Sequence, residues 1–166
     1  MSRASWWASK ARQFRAHVGA RVAPEERAGL AIWLSPAQLG VFDAMHVADR
    51  RHGLDVVATL RADGSADPDL LVAGLLHDAA KGADVGVWPR VAWSLGAAFG
   101  RPVRRVTALV PGFEAQLARL DDHAELSARL AASAGCSPRT VELIRHQDRP
   151  VDPDAGRRLH VADEAN

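Results

Sequence analysis

The stretch Leu70-Leu71-Val72-Ala73-Gly74-Leu75-Leu76-His77-Asp78-Ala79-Ala80-Lys81-Gly82 begins wholly apolar and then turns to His, Asp and Lys. Asp67-Pro68 ahead of it supplies a capping side chain and a proline suited to a first helical turn. Gly82 behind it suits a helix end. The spacing predicts a helix over 68–81, apolar on every side and therefore bound for a core. A carboxylate and an imidazole at the end of such a helix are costly to bury unless something compensates them. A divalent cation would compensate both. Imidazole nitrogen with carboxylate oxygen suits Fe, Mn, Co or Zn, and carboxylate also suits Mg. Lys81 lies four residues after His77, on the same helical face, where it would meet a phosphate oxygen beside a metal.

The same punctuation recurs outward from this stretch. Ser35-Pro36, Ser137-Pro138 and Asp152-Pro153 each precede a helix-like segment, and Gly100 and Gly135 mark ends. Helices are expected near 4–20, 24–34, 36–46, 49–62, 68–81, 86–99, 102–110, 113–120, 123–134, 138–148 and 153–165. No segment alternates apolar and polar between turns, so no strand is expected. The fold class is all-α: a helical bundle carrying a metal site in its core, with extra N-terminal helices. At 166 residues the chain suits a single domain. Residues 1–35 read as an N-terminal helical extension and 36–166 as the core.

Apolar residues make up 48% and charged residues 25%, the balance of a soluble globular chain. The net charge of +1 names no partner, and nucleic acid is not expected. The single cysteine, Cys136, excludes an intrachain disulfide and reads as a small packing residue. No run suits a membrane span or a signal peptide, so a cytoplasmic location is expected. Trp6-Trp7, with Lys10, Arg12 and Arg15, fits a helix packed on the domain, or less simply one on a membrane surface. Arg101, Arg104 and Arg105 either face phosphates or solvate a helix face.

Adjacent residues cannot complete a metal site, so distant ligands are required. His52 lies on the preceding helix and Asp163 on the last; His123 opens one helix and His146 sits late in another. Each falls on a separate, mostly apolar helix, which is how a bundle builds a metal centre. His46 rivals His52, but six positions turn a helix by about 240°, so both cannot face one site. His160, one turn before Asp163, fits a supporting role; His17 is not expected to be a ligand.

The ordered series His52, His77-Asp78, His123, His146, Asp163 resembles the pattern of the HD-domain phosphohydrolases, over roughly residues 36–166. The resemblance implies that His52, His77, Asp78 and Asp163 hold a first metal, with Asp78 bridging to a second where one exists. His123 and His146 match the additional histidines of binuclear members. Those that cleave cyclic dinucleotides carry a second histidine after the last helical one and then Gly-Tyr-Pro. Here Gln147 follows His146, then Asp148-Arg149-Pro150, which argues against that activity. The implied reaction is hydrolysis of a phosphomonoester or phosphoanhydride, with nucleotides among the candidate substrates, by attack of metal-bound hydroxide. Asp78, Lys81, His123 and His146 are the expected catalytic groups: Lys81 would offset phosphate charge and either histidine would protonate the leaving group. The competing reading is a non-catalytic regulatory module that binds a nucleotide or a protein. The oligomeric state is not indicated.

Overall fold

The structure is a computed structural model that describes residues 19–82, 85, 87–99 and 110–166. The expected helices near 4–20 and 102–110 lie almost wholly outside these residues, as do Trp6-Trp7, His17 and the arginines at 101, 104 and 105. Among the described residues the chain is all-helical, with nine helices and no strand. They are α1 (Pro24–Leu30), α2 (Pro36–Ala44), α3 (Val47–Ala62), α4 (Pro68–Leu76), α5 (Val87–Phe99), α6 (Phe113–Asp121), α7 (His123–Ser133), α8 (Pro138–Arg145) and α9 (Ala155–Ala165). None of them is long and apolar enough to cross a membrane.

The capping pairs do what their chemistry requires. Ser35, Asp67 and Ser137 accept backbone N–H groups in the first turns of α2, α4 and α8, each with proline in that turn. Asp152-Pro153 acts two residues early. Asp152 Oδ1 accepts the N–H groups of Asp154 at 2.9 Å and Ala155 at 2.8 Å, and α9 begins only at Ala155.

α4 is the axis of the bundle. Every residue from Leu70 to Leu76 is buried, and each such leucine is worth roughly 1.5–3 kcal/mol relative to an exposed one. α3, α8, α9 and α2 pack around it, and Phe42, Leu60, Ile144 and Leu159 fill the spaces between them. Two glycines let α3 and α4 approach closely. A Cβ on Gly53 would lie 2.5 Å from the Leu75 carbonyl oxygen, and one on Gly74 would lie 2.9 Å from Leu60 Cδ1.

The N-termini of α4 and α8 are tied together by Asp69, whose carboxylate accepts from Ser137 Oγ at 2.5 Å and from buried Thr140 Oγ1 at 2.9 Å. The Ser137 hydrogen bond outweighs partial burial and, with Thr140 and Arg139, holds the Asp69 carboxyl below the usual carboxylate range. A group depressed in the folded state contributes stability above its unfolded pKa and loses it as pH falls through its folded value. Asp69→Ala is therefore expected to cost about 1–2 kcal/mol at pH 7 in urea unfolding. The gap from wild type should close in acid; a gap of equal size at every pH would refute the assignment.

Candidate metal centre

α4 stops at Leu76, not at Lys81 as its apolar run suggested, and His77 to Ala80 form a tight turn. The reason is tertiary. Gln147 Nε2 donates to the His77 carbonyl, Ser127 Oγ accepts the Ala80 N–H, Arg119 Nε donates to the Ala80 carbonyl, and Arg90 Nη2 donates to the Gly82 carbonyl. Side chains from several elements thus take groups that a longer helix would have bonded internally. Gly82 leaves the turn at φ 93°, in the left-handed region that glycine tolerates best. Arg90 is itself held by a bidentate pair with buried Asp49, at 2.7 and 2.8 Å.

This turn sets His77 and Asp78 on the floor of a cluster, 1% and 2% exposed. His52 from α3 and Asp163 from α9 form its rim, with side chains 24% and 33% exposed. His52 Nε2 donates to Asp163 Oδ1 at 2.8 Å. His77 Nε2 lies 3.3 Å from that same oxygen and 3.5 Å from Asp78 Oδ2. One ligand atom from each of His52, His77 and Asp163 lies within 4.8 Å of the others, a group able to hold a metal ion. Asp78 adjoins it, with Oδ2 4.0 Å from His52 Nε2.

The donor chemistry fits a cation. His77 Nδ1 donates to the Gly74 carbonyl at 2.9 Å, which in the neutral ring leaves Nε2 as a lone pair aimed into the cluster. Both His77 Nε2 and Asp78 Oδ1 are buried with no hydrogen-bond partner, and such orphans need an explanation. Without a metal, protons take part of that role. Burial disfavours the charged His77 ring, but Asp78 and Asp163 outweigh it and push its pKa up to about 9. Burial likewise opposes ionised Asp78 and Asp163. The cations around Asp78, His77 and Lys81 foremost, and the His52 and His77 contacts to Asp163, nevertheless hold both far below the usual carboxylate range.

The other expected residues divide. His123 is brought to the cluster: its Nδ1 donates to the Leu120 carbonyl at 2.6 Å, and its Nε2 lies 3.6 Å from Asp78 Oδ1. The Trp93 ring packs edge-on against it at 5.9 Å between centroids. Lys81 is there as well, but it sits beyond the helix, and its Nζ donates to Asp78 Oδ2 at 2.5 Å. His46, the rival to His52, caps α3 by accepting the Ala48 N–H.

His146 is placed elsewhere. It faces Glu142 across one turn of α8, at 3.3 Å, and lines a groove with Arg139, Val151 and Asp152. The residue beside it, Gln147, is the one buried against the His77 carbonyl. Helical spacing carries the signal for this. Thr140 and Ile144 lie on the buried face of α8, and Gln147, just past its end, keeps their spacing and their burial, whereas Glu142 and His146 are more open to solvent. Asp49 and Arg90 were also missed, and no local pattern joins residues 41 apart.

No protein-family model, curated protein or solved structure matches this chain.

Proposed function

We propose that the chain is a metal-dependent phosphohydrolase of the HD type. The carrying observation is the convergence of His52, His77 and Asp163 from three separate elements within 4.8 Å, in the order and company that resemble that family. His52, His77 and Asp163 would hold the cation, with Asp78 beside them. Two imidazoles favour a first-row transition ion over Mg. When bound, such an ion supplies a Lewis acid and a nucleophile usable at neutral pH.

The protein's own groups account for the rest. Lys81, with 22% of its side chain exposed, offers positive charge to a phosphoryl oxygen at the mouth of the cluster. Burial opposes that charge, but Asp78 and Asp49 outweigh it and keep the lysine protonated. His123, fixed through Nδ1 to a backbone carbonyl, presents Nε2 beside Asp78 as a group able to pass a proton to a leaving oxygen. With His52 and Asp163 partly exposed above a buried floor, a phosphate group would approach from their side. Phosphomonoesters and phosphoanhydrides, nucleotides among them, are the substrate class.

One observation favours a second reading. Lys81 Nζ already neutralises Asp78 at 2.5 Å, so the cluster can be a self-compensated ionic network in a regulatory module that binds without turnover. Elemental analysis of the purified protein, paired with a phosphoester and nucleotide screen, separates the two. Stoichiometric metal with metal-dependent hydrolysis is expected; a metal-replete protein inert across the panel would sink the enzymatic reading.

Two histidines, one in the cluster and one outside it, give a sharper check on the ligand set. His52→Ala is expected to weaken Co²⁺ binding by more than about tenfold, and His146→Ala to leave it unchanged. Equal losses in isothermal titration would place the cation elsewhere.

A further inference from the structure

Gln147 follows the last residues of α8 and is only 3% exposed, unusual burial for an uncharged amide. Its side chain and its backbone grip different elements. Nε2 donates to the His77 carbonyl at 3.1 Å, and the Gln147 carbonyl accepts from His160 Nδ1 at 3.1 Å. His160 stands one helical turn before Asp163 on α9. One residue therefore braces both the segment that carries His77 and the helix that carries Asp163. Those two side chains meet at 3.3 Å in the cluster.

We infer that Gln147 is a positioning residue of the metal centre, setting His77 at its working distance from Asp163. The inference rests on the reading of the cluster as a cation site. The Gly74 carbonyl orients the His77 ring, and the Ala79 N–H to Leu76 carbonyl bond closes the turn around it, but α4 has already ended and the His77 carbonyl needs a partner from elsewhere. Gln147 supplies the missing anchor at the His77 carbonyl. A residue needed only to fill space would be better apolar, since the Gln147 Oε1 atom is buried without a hydrogen-bond partner. The amide accepts that penalty and delivers a donor to the ligand-bearing turn. Metal sites tolerate displacements of only about 0.5 Å in their ligands, so losing the anchor acts on the cation first.

The test uses Gln147→Met, which preserves volume and removes the donor, and Gln147→Asn, which keeps the amide but shortens its reach. Asp69→Ala serves as a control, destabilised at a point outside the cluster. Co²⁺ is titrated into each metal-free protein while its visible absorption is recorded, and unfolding is followed in parallel. Both Gln147 variants are expected to bind Co²⁺ about 10–100-fold more weakly than wild type with an altered absorption spectrum, while Asp69→Ala binds as wild type does. Wild-type affinity and spectrum in either folded Gln147 variant would overturn the inference and leave the cation site standing. A loss equal to that of Asp69→Ala would show a merely structural role and overturn it too. A wild-type protein that binds no Co²⁺ would overturn both the inference and the site.

Discussion

Asp78→Ala is expected to abolish hydrolysis, lowering it by more than about a hundredfold, and to weaken the hold on a cation. Residues that only support metal ligands change affinity or activity roughly 10–100-fold, and Asp78 stands closer than that. Its two oxygens face Lys81 at 2.5 Å, His77 at 3.5 Å, His123 at 3.6 Å and His52 at 4.0 Å. Every one of these groups is a cation or becomes one on protonation. Removing the carboxylate also leaves the Lys81 ammonium partly buried without its partner, and breaking a buried pair from one side costs about 3–5 kcal/mol. Asp78→Asn separates the two consequences, because it keeps the shape and removes the charge. Phosphoester turnover in Co²⁺, read beside a thermal melt, checks both variants. Wild-type turnover in a folded Asp78→Asn protein would remove Asp78 from the chemistry.

Gly53→Ala is expected to lower stability by about 2–4 kcal/mol, although alanine is the better helix former by up to about 1 kcal/mol. The added methyl would lie 2.5 Å from the Leu75 carbonyl oxygen and 3.3 Å from Leu75 Cα. Those are backbone atoms of the most buried helix, and they cannot swing aside as a side-chain tip can. Gly74 makes the contrast. Its nearest neighbour is the flexible end of Leu60 at 2.9 Å, so Gly74→Ala should cost less. Gly29, inside α1 with nothing within 4 Å, should gain stability as alanine. Because His52 adjoins Gly53, and its ring stands 5.2 Å from that of His77, prying α3 from α4 should also weaken Co²⁺ binding. Thermal melts of the three alanine variants test the order. A Gly53→Ala protein as stable as wild type would mean that the helices are not held at this distance.

What could be read in the residues is what local chemistry controls. The apolar run at 70–76 announced the central helix, and the serine and aspartate caps placed the starts of α2, α4 and α8. His52, His77 and Asp163 were legible as a set because each stands on a separate, mostly apolar segment, in an order that resembles the HD-domain pattern. The end of α4 was not legible, since the groups that stop it come from Arg90, Arg119, Ser127 and Gln147, all remote in sequence. That Gln147 rather than His146 turns inward was legible in principle from its spacing to Thr140 and Ile144. The Asp49–Arg90 pair had no local signature at all.

The bond between His52 and Asp163 closes a span of 111 residues, whereas α3 and α4 are joined by a short connection and pack on each other directly. Local pairs form early in folding, and long closures wait until much of the chain is ordered. The third donor of the cluster therefore arrives with the docking of the last helix. If that docking follows the folding barrier, a cation held there would slow escape from the native state far more than it would hasten arrival. A cation in the centre would in that sense be a kinetic lock on α9, and metal content should then be legible in how long the folded protein survives.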